Sequence, residues 1–354
     1  MKFYTKYNLL LLLSLTMINC KTTEKNVTPK KNKIEKKLDS IFSSLSKNGK
    51  FNGNVLVAKN DEILYQKGFG FSNGSKQLLL KSTDRFNIGS IYKEIPAIAI
   101  MQLKEKGLLK LNASISEYIP NLPKWSNKVS IKNLIQYTSG LPKINWRKHK
   151  VINDKALIND LLEISNLEFT PGKSYLYTNY SPLLLSKIVE NITGEKFTKY
   201  TADNILKPFK LNQSKFSSVF PYQNRESQAI SFNSNYTEDN PPFKIESSIF
   251  LFSTTTEDLF KLSKELHAYR IINKKSLHII AKTAVLKVKE MESALGQVEF
   301  INNKISKHTH HGSNGNYESI LYRNNSKKNT VILLTNNKKG NIHSIKDALQ
   351  KLLQ

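Results

Sequence analysis

The sequence predicts an α+β fold in which the two ends of the chain build one α/β domain and the middle contributes a mostly helical insertion. Two observations lead there. Strand-like runs fall at residues 54–71 and again after residue 294, whereas the apolar spacing between them is helical. No internal repeat and no second long apolar span asks for another architecture. A chain of 354 residues with 39% hydrophobic residues is long and apolar enough for one large domain or two interleaved ones. The expected division is a leader at 1–19, a tether at 20–33, an α/β domain from 34–94 and 254–354, and an inserted helical domain at 95–253.

The chain opens with MKFYTKYNLLLLLSLTMINC: two lysines, an apolar stretch from Leu9 to Ile18, then Cys20. About ten apolar residues are too few for a spanning helix, which needs roughly 20, so the stretch reads as the core of a secretory signal. Cys20 is the one cysteine in the sequence, and its position resembles a bacterial lipobox, with Asn19 in place of the usual small residue. The expectation is an exported cell-envelope protein held to a membrane by a lipid on Cys20, without disulfides. The polar run Lys21 to Lys33 then reads as a tether.

From Ile34, the residues Ile34, Leu38, Ile41 and Leu45 recur at helical spacing. Two strand-like runs follow, Asn54–Lys59 and Ile63–Phe71, joined by the turn residues Asn60 and Asp61, and a helix is expected from Ser90. IKNLIQYT, DKALINDLLEIS and SPLLLSKIVENITG carry the i, i+3/i+4 pattern through the middle. After Ser253 comes a helix, TTEDLFKLSKELH, capped by Thr254 or Thr255 with acids in its first turn. ALGQVEFI, YESILYRN and NTVILLTN read as strands, and IHSIKDALQKLL as the last helix.

Charge narrows the partners. There are 54 Lys+Arg against 28 Asp+Glu, a formal +26. The lysines are scattered rather than gathered on an arm or stripe, and no nucleic-acid motif accompanies them. A lysine- and asparagine-rich compositional bias accounts for this first, an anionic envelope surface second, and nucleic acid a distant third.

Three short motifs carry chemistry. Ser90-Ile91-Tyr92-Lys93 sets a hydroxyl and an amine on one helical face, where a partly desolvated amine gives up its proton and can serve as a base. A second copy, Ser44-Leu45-Ser46-Lys47, lies on the first amphipathic helix and reads as surface. Tyr177-Thr178-Asn179 offers a phenol that, near an ammonium, could relay the serine proton, and an amide that could hold lysine and substrate. The triplet also occurs at Tyr222 and Tyr322, and such a tyrosine is ordinarily core packing. In His310-His311-Gly312-Ser313, the glycine would let a substrate backbone approach a strand edge and the following N–H face a developing oxyanion.

Taken in order, these motifs resemble the serine β-lactamase-related family, which includes class C β-lactamases, low-molecular-mass penicillin-binding proteins, D-aminopeptidases and related esterases. STDRFNIGSIYKEIPAIAIMQLKEKG looks like its nucleophile helix, IKNLIQYTSGLP is similar to its L-L-x-H-T-S-G-L-P signature, and LFSTTTEDLFKL to its S-T-x-x-D-L segment. FTPGKSYLYTNYSPLLLSKIVENITGEKF resembles the block around its tyrosine. HHGSNGNYES falls where that family has K-T-G, H-x-G or W-x-G.

The resemblance implies a β-lactamase/transpeptidase-like fold, with an antiparallel sheet flanked by helices. It implies Ser90 as acylated nucleophile, Lys93 as its activator, Tyr177 as general base and acid, and Asn179 as a positioning residue. His310 and Gly312 would mark the strand across the cleft, and the N–H groups of Ser90 and Ser313 the oxyanion hole. No cofactor or metal is implied, and the partner is a small-molecule or peptide substrate. Four departures stand out: Tyr137 for the histidine of H-T-S-G, Pro96 one turn past Lys93, Asn316 for a common glycine, and His310 for the lysine of K-T-G. A lysine would hold a carboxylate as a permanent cation, whereas histidine is mostly neutral at pH 7. The expectation therefore tilts from a dedicated β-lactamase or DD-carboxypeptidase toward an amidase, peptidase or esterase.

Two rival readings accompany this one. On a strand, His308 and His310 share a face and could chelate a metal, but no further ligand motif supports zinc, and otherwise His308 and His311 would be exposed strand-edge residues. The same fold could also be a muropeptide-binding module without turnover. Intact Ser90, Lys93 and Tyr177 favour catalysis.

Overall fold

The computed structural model describes residues 1–2 and 28–353; the leader and Cys20 lie outside the described residues. The chain order begins with α1 (Thr28–Lys47), the hairpin β1 (Gly53–Lys59) and β2 (Glu62–Phe69), the short β3 (Phe86–Asn87) and α2 (Glu94–Glu105). Next come α3 (Ile131–Ile135), β4 (Val151–Ile152), α4 (Asp154–Leu162), α5 (Tyr180–Thr193), α6 (Phe197–Thr201), β5 (Lys215–Phe216), β6 (Lys244–Ile245) and β7 (Phe252–Thr254). The chain closes with α7 (Thr256–His267), α8 (Lys274–Ala281), β8 (Gln297–Ile301), β9 (Lys304–Asn314), β10 (Tyr317–Asn324), β11 (Asn329–Thr335) and α9 (Ile342–Leu352). α1 starts ahead of the expected boundary, so the last residues of the expected tether are helical.

Strands from both chain ends form one six-stranded sheet in the order β2-β1-β11-β10-β9-β8, with every neighbouring pair antiparallel. Alternation decides what each face meets, because successive side chains point to opposite sides. Val55, Val57, Ile320, Tyr322, Val331 and Leu333 pack on one face against Leu38 and Phe42 of α1 and Ile345 and Leu349 of α9. Leu56, Ala58, Leu321, Ile332 and Leu334 point the other way, into the large core shared with α2, α5, α7 and α8. Phe42 is wholly buried where the sequence pattern pointed to Ile41, which is half-exposed.

The second face positions the site. His310 pairs with Leu321 and Gly312 with Ser319, so both face the inner core, while His311 faces α9. α7 is capped by the Thr255 side chain, which accepts the Asp258 N–H. No helix among the described residues is long and apolar enough to cross a membrane.

Candidate active site

The segment Gly89–Lys93 is a tight 3₁₀ turn rather than the start of an α-helix, and α2 begins only at Glu94. This placement accounts for Pro96: it stands in the first turn of α2, where proline is tolerated. Asn87 anchors the turn, accepting the Gly89 N–H through Oδ1 at 2.9 Å and donating through Nδ2 to the Tyr222 hydroxyl at 2.9 Å. Tyr222, from the second Y-x-N triplet, is thereby structural.

β9 lies flush against this turn. A Cβ on Gly312 would come within 1.9 Å of the Ile88 carbonyl and 3.0 Å of the Ser90 nitrogen. A Cβ on Gly89, whose φ is +53°, would come within 2.2 Å of the Ser313 nitrogen. The two glycines let the backbones of the turn and the strand meet, bringing the nitrogens of Ser90 and Ser313 to one seam. The closeness at Gly312 is thus used by the chain itself on the side of the nucleophile turn, while β8 pairs β9 only over Lys304–Thr309 and leaves the Gly312–Ser313 stretch without a β8 partner.

Ser90 Oγ accepts a hydrogen bond from Lys93 Nζ at 2.9 Å. Lys93 is buried at 4% exposure, and loss of solvation lowers its pKa from 10.5 to about 7, with Glu292 pulling weakly upward. The sequence reading asked for such a partly desolvated amine.

Tyr177 arrives on the loop before α5, held by main-chain bonds to the Tyr137–Gly140 segment: Leu176 N–H to Tyr137 O at 2.9 Å, and Gly172 N–H to Thr138 O at 2.8 Å. Thr178 Oγ1 donates to Pro142 O at 2.6 Å and accepts from Tyr180 N at 3.2 Å, fixing the entry to α5. Lys93 Nζ lies 4.7 Å from the Tyr177 ring centre, and the Tyr137 ring centre lies 4.6 Å from it. Tyr137, in the place of the motif histidine, therefore buttresses Tyr177.

The Tyr177 hydroxyl is enclosed and makes no hydrogen bond among the described residues. Burial pushes its pKa up; the Ser90 hydroxyl is close enough to pull it down, and Glu292 and Tyr175 push it further up. The approach to Ser90 stops just short of a hydrogen bond. The side chains of Ser90, Lys93 and Tyr177, drawn from distant segments, do meet.

A cleft of about 610 Å³ opens over Ser90 and Lys93. Asn179 lines it but makes no hydrogen bond to Lys93, so among the described residues only its substrate-facing role remains. Trp146, Phe220, Phe243 and Phe250 give it an apolar wall, and Arg147 and Asp239 add charge. Ser313, Asn314 and Gly315 complete the β9 side. The Ser313 hydroxyl accepts from Lys338 Nζ. Asp239 Oδ2 accepts the Asn316 main-chain N–H at 2.6 Å and the Ser231 hydroxyl at 2.6 Å, which ties the β9–β10 turn, and Asn316 Nδ2 donates to Asp239 Oδ1, a bond that a glycine there could not make.

His310 is the principal correction. It is 2% exposed and is not on the cleft wall; Nδ1 meets Glu94 Oε1 at 2.7 Å. His308, expected at an exposed edge, is fully buried beside the same carboxylate, its Nε2 3.1 Å from Oε1. The ligand atoms of Glu94, His308 and His310 lie within 4.8 Å of one another, and those of His311, Glu318 and His343 form a more exposed group. In the buried group, Arg323 Nε donates to Asn325 Oδ1 at 2.8 Å, which turns the Asn325 amide N–H toward His267 Nδ1 at 3.1 Å. His267 Nε2–H then faces His308 Nδ1 at 3.1 Å, and the remaining proton of His308 lies on Nε2 toward Glu94. That ring keeps no lone pair for a metal. Glu94 and Glu292 were missed in the sequence. Glu94, an acid beside Lys93, could have been sought as the buried partner that two histidines of one strand face require.

The order of the strands, the inserted helices and the seam at Ser90 define a β-lactamase/transpeptidase-like fold. A penicillin-binding protein from Bacillus halodurans superposes with a TM-score of 0.76 at 21% identity, over 88% of this chain and 98% of that one. FmtA from Staphylococcus aureus gives 0.74 at 22%, over 90% and 88%. Residues 38–354 match the family described as Beta-lactamase, and the chain belongs to it. Penicillin-binding protein 4* of Bacillus subtilis (strain 168) is 30% identical over 194 residues, 52% of this chain and 42% of that protein, so the chain spans less than half the length of that curated relative.

Proposed function

We propose that this chain is an exported serine hydrolase that forms an acyl-enzyme on Ser90 with an amide, peptide or ester and then hydrolyses it. The observation that carries the reading is the 2.9 Å contact between Ser90 Oγ and a lysine whose pKa burial brings to about 7, so that near neutrality a large fraction of the amine is free to take the serine proton.

In the proposed route, Oγ bonds to the substrate carbonyl carbon as its proton passes to Lys93. The carbonyl oxygen becomes an oxyanion facing the N–H groups of Ser90 and Ser313, each donor being worth about 3–4 kcal/mol in comparable sites. The bond to the leaving amine or alcohol breaks as a proton returns to it through Tyr177. Water then attacks the acyl carbon, with Tyr177 and Lys93 taking and returning its proton, and frees Ser90. Asn179 and the aromatic wall orient the acyl group. The leader and Cys20 support placement in the cell envelope, on a lipid anchor, with a small molecule or peptide as partner.

The absence of a cation at position 310 on the cleft wall favours acyl donors that need no carboxylate held there. Mass spectrometry after exposure to a penicillin, a p-nitrophenyl ester and a D-Ala-D-Ala peptide would test this. The expected result is an adduct on Ser90 that forms and clears fastest with the ester or peptide. A folded protein that takes no adduct from any of the three would be a binding module instead.

A further inference from the structure

We propose that Glu94 is a positioning residue that locks His310, two residues before Gly312 on the same face of β9, with its proton on Nδ1 and Nε2 left as a hydrogen-bond acceptor. The kinetic part of this inference rests on the hydrolase reading above; the tautomer part does not.

The geometry carries it. Glu94 follows Lys93 directly, is 1% exposed, and lies beneath β9 where His310 and Gly312 point inward together. Gly312 lies so close to the turn that a Cβ on it would come within 3.0 Å of the Ser90 nitrogen, and His310 sits two residues back on the same strand face. Burial pushes the Glu94 pKa up, and the neighbouring imidazoles more than offset it, so the carboxyl stands below the ordinary carboxylate value. A carboxylate can only accept, so the proton in the 2.7 Å contact belongs to His310 Nδ1. Nε2 has no partner among the described residues and is not among the fully enclosed atoms.

The neighbouring chain supports the assignment from the other side. The donors run Arg323, Asn325 and His267, with His308 Nδ1 as the last acceptor, which places the His267 and His308 protons on Nε2; His308 Nε2 lies 3.1 Å from the same Glu94 oxygen without a hydrogen bond to it among the described residues. The carboxylate thus receives one hydrogen bond, the Nδ1–H of His310, with the His308 Nε2–H close beside it. Free histidine prefers the Nε2–H form, so His310 is held in the less common tautomer by a specific acceptor. Its other nitrogen then carries a lone pair, suited to a water behind the cleft wall rather than to substrate.

Long-range ¹H–¹⁵N spectra of the full chain labelled with ¹⁵N-histidine, at about pH 8 where free imidazole is neutral, would decide it. The ring signals would be assigned with His310→Asn and His308→Asn variants. The wild type should show Nδ1–H for His310 and Nε2–H for His308 and His267. Glu94→Gln, whose amide oxygen can still accept, should keep this pattern and stay within about threefold of wild-type kcat. Glu94→Ala should release His310 to the Nε2–H form and lower kcat by about 10–100-fold, the usual effect of losing a group that orients a histidine, with little change in KM. An Nε2–H His310 in the wild type, or one unchanged in Glu94→Ala, overturns the proposal. The wild-type spectrum decides even if the alanine variant does not fold. A protein with Nδ1–H His310 and no acyl transfer would sink the hydrolase reading instead.

Discussion

Replacing Lys93 with methionine should stabilise the fold at neutral pH and remove a defined part of its pH dependence. An unfolded lysine holds its proton to 10.5, whereas Lys93, sealed at 4% exposure, holds it only to about 7. Between those values the unfolded chain binds one more proton than the folded chain, so stability rises with pH across the window and the deficit is complete below it. The distance from 10.5 to about 7 corresponds to about 5 kcal/mol at 1.36 kcal/mol per pH unit, an upper bound that local relaxation would reduce. Methionine keeps the apolar stem without the charge. Urea denaturation at several values from about pH 7 to 10 should show the variant more stable by about 2–4 kcal/mol at the low end, with the gap closing as pH rises. A gap that stays constant with pH, or a variant less stable at pH 7, would mean that Lys93 is not desolvated and could not serve Ser90 as a base.

The other residues around Ser90 make separate claims. Tyr177→Phe deletes a hydroxyl that has no partner, so melting should be unchanged or up to about 1 kcal/mol more favourable. Ester turnover should nonetheless fall about 10²–10⁴-fold. Gly312→Ala puts a methyl 1.9 Å from the Ile88 carbonyl; a thermal melt should show a loss of about 2 kcal/mol or more, and acylation should be largely lost with it. Glu292→Gln removes the charge that raises the Lys93 pKa, so the rise of acylation rate with pH should move to lower pH; a move upward would contradict the assignment.

The sheet and most helices were legible because their patterns are local. β10 and β11 are short runs centred on apolar residues and almost wholly buried, α5 follows period-3.6 spacing, and Thr255 announces the cap of α7. Ser90, Lys93 and Tyr177 were legible as motif residues, although their meeting depends on main-chain bonds between the Tyr137–Gly140 segment and the loop before α5 that no periodicity encodes. The role of His310 was misread because a strand residue's face depends on register. Its pairing with Leu321 turns it inward onto Glu94. Glu292 sits in the irregular segment between α8 and β8, where nothing in the spacing marks it as a neighbour of Lys93. The 3₁₀ turn at Gly89–Lys93 was also hidden, since its apolar flanks look like a continuous helix.

Labelling with a fluorophosphonate, followed by peptide mapping, asks whether a single oxygen in this chain has been made nucleophilic. One adduct per chain on the peptide holding Ser90, abolished in Ser90→Ala and strongly slowed in Lys93→Met, is the predicted result. Labelling at another serine, or none at Ser90 in folded protein, would contradict the account.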